Sequence, residues 1–130
     1  LAGLHLLLAE DNELNSEIAT TLLEEQGASI TAVENGRLAL EAIQNAAPHT
    51  YDAILMDVMM PEMNGLEATR CIRAFEGKGP GEGTPIIAMT ANVFADDVKA
   101  CLDAGMNSHV GKPLDMKVLI GEILKYADAR

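Results

Sequence analysis

Glu10, Asp11, Asp57, Thr90 and Lys112 are the residues of this 130-residue chain whose types could do chemistry together. Three carboxylates in one place repel: two unit charges about 4 Å apart cost about 4 kcal/mol at an effective dielectric near 20. A cation offsets that cost. Oxygen ligands suit a hard divalent ion, and magnesium often works with one or two protein carboxylates plus a phosphate. Zinc has no support, because His5, His49 and His109 are scattered and Cys71 and Cys101 stand singly. Taken one at a time, each residue also has a plain structural use. Glu10 or Asp11 could cap a helix, Asp57 could begin a turn ahead of Pro61, Thr90 could end a strand, and Lys112 could be solvated. The case for chemistry rests on their coming together.

Apolar runs alternate with helical periodicity along the whole chain. His5 to Ala9 is a short strand-like run that stops at Glu10-Asp11-Asn12. Leu14, Ile18, Leu22 and Leu23 then recur at helical spacing, with Gly27 as a C-terminal stop. Ala28 to Val33 reads as a second strand, and Asn35-Gly36 as a turn. Leu38, Ala39, Ala42, Ile43 and Ala46 predict a helix ahead of Pro48. Tyr51 to Met56 is a third strand, followed by a loop with Pro61 and Asn64-Gly65 and a helix around Leu66, Thr69 and Ile72. Pro85 to Met89 and Asn107 to Val110 predict the last two strands. Phe94, Val98, Cys101 and Leu102 form the helical stripe between them, and Leu119, Ile123, Leu124 and Ala127 line a final helix. "GKGPGEG" (77–83) has flexible-linker chemistry. It is no phosphate cradle, since it precedes a strand and lacks Gly-Lys-Ser/Thr. Met56, Met59, Met60 and Met63 read as packing residues, not soft-metal ligands.

Five such βα units imply a parallel sheet covered by helices on both faces. The central runs "AILM" and "PIIAM" lack polar alternation, as strands buried on both sides should. All carboxyl ends of a parallel sheet lie at one edge. Glu10-Asp11 follow the first strand, Asp57 the third, Thr90 the fourth and Lys112 the fifth, so all five meet on one rim. Ligands of such folds collect there.

Composition narrows the function. Hydrophobic residues make up 48% and charged residues 22%, which suits one folded domain over residues 1–130. No run approaches the roughly 18 apolar residues of a membrane span. The net charge of −11 would repel phosphate backbones, which argues against direct nucleic-acid or anionic-membrane contact. It favours divalent cations or a basic patch on a partner. The two single cysteines fit a reducing, cytoplasmic setting, with both thiols acting as small hydrophobes. The start at Leu1 suggests a piece of a larger chain.

"LLLAEDN", "AILMDVMMPEMNGLEATR", "PIIAMTAN" and "GMNSHVGKP" resemble, in order, the motifs of the response-regulator receiver domain of two-component signalling. The resemblance implies a flavodoxin-like (βα)5 fold with strand order 2-1-3-4-5 and a phosphorelay role. Asp57 matches the phosphoacceptor, which takes a phosphoryl group from phosphohistidine. Glu10 and Asp11 match the acid pair that holds Mg²⁺, with Asp57 and the backbone carbonyl of Met59 as further ligands. Lys112 matches the residue that pairs with the phosphoryl group. Thr90 matches the hydroxyl that bonds a phosphoryl oxygen and draws the next loop inward, beside the small Ala91. The Lys112-Pro113 bond matches a cis peptide. His109 stands at a switch position more often filled by Tyr or Phe, and His is common there in hybrid sensor histidine kinases. Met59 and Asn92 occupy positions that tune phosphoryl lifetime, and neither positions water well, so self-dephosphorylation should be slow. The implied partner is a histidine kinase or a histidine phosphotransfer domain. A homodimer and a membrane-anchored parent are left open. The switched surface would be that of the fourth helix, fifth strand and fifth helix.

Two other classes compete. A magnesium-dependent aspartyl-phosphate phosphatase of the haloacid-dehalogenase type needs a second Asp two residues past the nucleophile, where this chain has Met59. A degenerate receiver used only for docking needs no intact acid set, yet Glu10, Asp11, Asp57, Thr90 and Lys112 are all present.

Overall fold

A computed structural model of the chain describes residues 1–47, 50–60, 63–79, 82–91, 95–112 and 114–127. Five strands, β1 (His5–Ala9), β2 (Ser29–Val33), β3 (Ala53–Asp57), β4 (Ile86–Thr90) and β5 (Ser108–Gly111), form one sheet. All neighbours pair parallel, in the order β2-β1-β3-β4-β5. The helices are α1 (Glu13–Glu25), α2 (Gly36–Gln44), α3 (Gly65–Glu76), α4 (Ala95–Ala104) and α5 (Met116–Ala127). Strands and helices therefore fall where the hydrophobic pattern predicts them, with ends shifted by a residue or two.

Alternation along each strand divides the core into two layers. Leu7, Ile54, Met56, Ile86 and Ala88 pack with Ala39, Ile43, Ala68, Ile72 and Cys101 of α2, α3 and α4. Leu6, Leu8, Leu55, Ile87 and Met89 pack with Ala19, Leu23, Leu119 and Ile123 of α1 and α5. Each fully buried aliphatic side chain contributes about 1.5–3 kcal/mol. β3 and β4 are buried along their whole length, which is why they read as unbroken apolar runs.

Three helices start on an asparagine cap. The side chains of Asn12, Asn35 and Asn64 accept from the backbone N–H groups of Asn15, Leu38 and Glu67 at 2.8–2.9 Å. α4 ends at Gly105, whose φ of 111° is one that a side chain rarely tolerates.

Burial refines the helical stripes and the cysteine reading. Leu14, Ile18 and Leu22 keep their helical spacing, but they face outward, at 64%, 51% and 36% exposure. The buried stripe of α1 is Ala19 and Leu23, because the small Ala19 lets the helix lie close to the sheet. Leu102 of α4 is likewise exposed. Cys101 is buried, which together with the nearby Asp97 carboxylate pushes its thiol up from its ordinary pKa, whereas Cys71 is half-buried. Phe94 lies outside the described residues.

The described ends of 77–83 are hydrogen-bonded, which the linker composition does not suggest: the Gly77 N–H donates to the Arg73 carbonyl at 2.9 Å. The Gly79 carbonyl accepts from the N–H groups of Glu82 and Gly83 at 3.2 and 2.9 Å. Beyond it, a buried polar knot joins α3 to the amino-terminal ends of β4 and β5. Arg73 Nε donates to the Gly105 carbonyl at 2.9 Å. Its Nη1 donates to the Thr84 carbonyl at 2.8 Å and to Glu76 Oε1 at 3.0 Å, and its Nη2 to Asn107 Oδ1 at 2.9 Å. Glu76 Oε2 accepts from the Thr84 hydroxyl at 2.6 Å. Sequence reading passed over Arg73. The clue was its spacing, for Gly65, Ala68, Thr69, Ile72 and Arg73 all lie on the buried face of α3.

Candidate functional site: an acidic rim at the carboxyl edge of the sheet

Register decides which side chains meet. Ala9 of β1 pairs with Met56 of β3, so Glu10 and Asp57 leave the sheet side by side. Asp57 pairs with Met89, and Thr90 pairs with Gly111, which brings Thr90 and Lys112 to the same edge. The Lys112 N–H closes that side by donating to the Thr90 carbonyl at 2.9 Å.

The result is a cavity of about 280 Å³ lined by Glu10, Asp11, Asn12, Asn15, Asp57, Met59, Thr90, Ala91 and Lys112. Seven of these nine come from the sequence reading. Asn12 and Asn15 were missed as lining residues, because their capping geometry at the start of α1 is what turns them toward the rim. His109 does not line the cavity: it is half-buried on β5, opposite Ala88. Pro113 and Asn92 lie outside the described residues.

Carboxylate oxygens of Glu10, Asp11 and Asp57 lie within 4.8 Å of one another. Glu10 and Asp57 are buried at 5% exposure each, and Asp11 is exposed. Lys112 Nζ stands between the buried pair, 3.0 Å from Glu10 Oε2 and 3.1 Å from Asp57 Oδ2. Burial alone would lower the pKa of this ammonium. Its contacts with Glu10 and Asp57 outweigh that, so it sits above its ordinary value and stays charged through the neutral range. Glu10 Oε1 also accepts from the Asn12 N–H at 3.2 Å.

Three carboxylates and one ammonium leave two negative charges, which one divalent cation would cancel. The donors are all oxygen, and no described His or Cys joins the cluster. That set fits a hard cation such as magnesium.

Beside this cavity lies a larger, apolar one of about 540 Å³ under α1. Leu8, Ile18, Ala19, Leu22, Met89 and Leu114 line it, and Glu10, Asn15 and Lys112 form the wall it shares with the acidic site. The outward stripe of Leu14, Ile18 and Leu22 continues from its lip.

A doubly wound parallel sheet in this order, with its polar cluster at the carboxyl edge, places the protein among flavodoxin-like folds. Within that class the chain belongs to the response regulator receiver domain family, which residues 6–124 match. Receiver domains are phosphoacceptor modules of signalling, not enzymes acting on a free substrate. "Probable histidine kinase 1" of Oryza sativa subsp. indica is 40% identical over 140 residues, covering 86% of this chain and 14% of that protein. The chain thus spans about a seventh of the length of such relatives. The receiver domain of sensor histidine kinase PA1611 from Pseudomonas aeruginosa PAO1 was crystallised with magnesium in its active site cleft. It is 37% identical with a TM-score of 0.84, covering 98% of this chain and 99% of that one. A chain from the co-crystal of Saccharomyces cerevisiae Ypd1, a histidine phosphotransfer protein, with the receiver domain of Ssk1 gives a TM-score of 0.86. That match has 26% identity and covers 96% of this chain and 89% of that one. No helix among the described residues is long and apolar enough to cross a membrane.

Proposed function

We propose that Asp57 is the phosphoacceptor of a phosphorelay receiver, and that the chain is the receiver portion of a hybrid sensor histidine kinase on the cytoplasmic side. The observation that carries the first part is the single cavity in which Asp57, Glu10, Asp11, Thr90 and Lys112 meet. The kinase relatives support the second.

Asp57 Oδ attacks the phosphorus of a phosphohistidine in line with the P–N bond. The imidazole leaves with the electron pair of that bond, and an acyl phosphate remains on Asp57. Glu10, Asp11, Asp57 and the Met59 carbonyl would hold Mg²⁺. When bound, the ion neutralises charge on the phosphoryl oxygens. Lys112, already on Asp57, follows the incoming phosphoryl group as a charge-assisted donor. Thr90 donates its hydroxyl to a phosphoryl oxygen, with Ala91 small enough to leave the approach open. This pulls on the chain beyond β4 and shifts the α4–β5–α5 surface. The Met59 side chain is 73% exposed and has no group to orient an attacking water. The acyl phosphate should therefore last minutes or longer, and decay within seconds would overturn this part of the reading.

The donor docks on the outward face of α1. Leu14, Ile18 and Leu22 form its apolar centre, and the exposed Glu13, Glu17, Glu24 and Glu25 surround it with negative charge. A phosphohistidine-bearing helical surface with an apolar middle and a basic rim complements it. The shared wall of the two cavities carries the docked histidine toward Asp57. Ile18→Glu should slow transfer from a phosphorylated histidine phosphotransfer protein about 10-fold or more, a loss of roughly 1.4 kcal/mol. Uptake from acetyl phosphate should be unchanged, because Ile18 is half in solvent and does not line the acidic cavity. Equal slowing with both donors would assign Ile18 to the fold and not to docking.

The direct test of the reaction is mass spectrometry of the intact chain with Mg²⁺ and acetyl phosphate. One phosphoryl increment is expected. None, with the chain folded, would return the domain to a docking role.

A further inference from the structure

We infer that Gly65, the first residue of α3, is a positioning residue for Asp57. With no side chain of its own, it lets the backbone of the phosphoacceptor lie against the helix, and so aims the carboxylate. The inference deepens the reading of Asp57 as the phosphoacceptor and rests on it.

Gly65 is buried and does not line the acidic cavity. Its helical backbone is one that any residue adopts, so space alone excludes a side chain. A Cβ there would overlap the Asp57 carbonyl oxygen. It would also come 3.0 Å from Val58 Cα and 3.0 Å from Met56 Cγ. These three neighbours belong to consecutive residues centred on Asp57. Two of them are backbone atoms, which cannot rotate away as the end of a side chain can.

The helix is the fixed partner. The Gly65 N–H donates to the Val58 carbonyl at 2.9 Å, and the Gly65 carbonyl accepts from the hydroxyl of the fully buried Thr69 at 2.8 Å. Asn64 accepts from the Glu67 N–H at 2.9 Å, and Ala68 and Ile72 are sunk in the core. Asp57 is the last residue of β3, and the sheet holds the chain beyond it by a longer bond, from the Val58 N–H to the Met89 carbonyl at 3.2 Å. The overlap is therefore relieved by tilting the peptide between Asp57 and Val58. That peptide carries both the carbonyl that is pushed and the N–H of the longer bond. Tilting it turns Asp57 at its Cα and re-aims the carboxylate, whose Oδ2 stands 3.1 Å from Lys112 Nζ and whose Oδ1 is 3.4 Å from the Met59 nitrogen. In-line attack tolerates little of this, for a displacement of about 1 Å can cost about 100-fold in rate.

The test follows uptake from acetyl phosphate at saturating Mg²⁺ by intact mass, in the wild-type chain, Gly65→Ala and Ile72→Val, each held well below its Tm. Gly65→Ala should be slowed about 10-fold or more, and the NMR signal of the Asp57 carboxyl carbon should move. Ile72→Val removes a buried methyl group further along α3 and lowers stability without touching Asp57. Its rate should stay within about two-fold of wild type, with the carboxyl signal in place. Folded Gly65→Ala at the wild-type rate, or equal slowing in both variants, would overturn the inference and leave the phosphoacceptor reading intact. Slowing with the Asp57 carboxyl signal unmoved would overturn it too, by placing the effect elsewhere. A wild-type chain that took up no phosphoryl group would overturn the phosphoacceptor reading and this inference with it. Should Gly65→Ala not fold, amide exchange in the wild type decides. Beryllofluoride with Mg²⁺, a mimic of the phosphoryl group, should change exchange of the Gly65 N–H several-fold, because coupling between two places is reciprocal. The exposed Gly121 N–H in α5 should not respond. No change at Gly65 in a chain that binds beryllofluoride would overturn the inference.

Discussion

Asp57→Asn is expected to stay at its unmodified mass after incubation with Mg²⁺ and acetyl phosphate, under conditions where the wild-type chain gains a phosphoryl group. Asparagine keeps the volume of the side chain and its place at the end of β3. It loses the charge and the nucleophilic oxygen. An amide oxygen attacks phosphorus poorly, so the expected loss is the whole signal. Magnesium affinity should fall as well, because one of the three mutually close carboxylates is gone. Stability should change little, within about 1 kcal/mol, since two effects oppose each other. The 3.1 Å contact with Lys112 becomes a weaker one, while repulsion from Glu10 and Asp11 is relieved. An adduct that survives in Asp57→Asn at wild-type yield would place the chemistry elsewhere, with Glu10 and Asp11 the first residues to examine.

Arg73→Met is expected to cost about 3–5 kcal/mol, the range for breaking a buried charged pair by removing one partner. Methionine fills most of the space along the stem. It cannot replace the donors to the Gly105 and Thr84 carbonyls, to Asn107 or to Glu76. Glu76 then stays nearly buried as a carboxylate, with only the Thr84 hydroxyl and N–H to serve it. Against a total of about 5–15 kcal/mol this is severe. For a chain of this length it corresponds to a drop of roughly 10–20 °C in Tm, measurable by circular dichroism. The knot lies at the edge of the sheet opposite the acidic rim, so Mg²⁺ affinity measured well below the new Tm should be unchanged. A shift of under about 3 °C would mean that water replaces the guanidinium at little cost.

Much of this molecule can be read before its shape is known, and the reason is physical. β3 and β4 are buried on both faces, so their sequences are apolar until the chain reaches the polar rim at Asp57 and Thr90. In a parallel sheet that stop has one meaning for every strand, and the rim follows from it. What stays hidden depends on which face of an element is turned inward, or on contacts between distant segments. The spacing of Leu14, Ile18 and Leu22 describes a helix equally well whether the stripe meets the core or a partner. Arg73 is indistinguishable from a surface arginine until Gly105 and Asn107 are seen beside it, more than thirty residues away. Asn35-Gly36 reads as an ordinary turn signal, and only the fold shows the Met63 carbonyl against it. "GKGPGEG" has the composition of slack chain, but its ends are fastened by hydrogen bonds that composition does not encode.

The ammonium of Lys112, seated between Glu10 and Asp57, also sets which ions the rim can respond to. It is tethered, so its local concentration there far exceeds that of any free monovalent cation. With that ammonium counted, the three carboxylates still lack two positive charges. One potassium or sodium ion would supply half of that deficit, whereas one divalent ion would supply all of it. The lysine thereby sets the deficit at the charge of a single divalent ion.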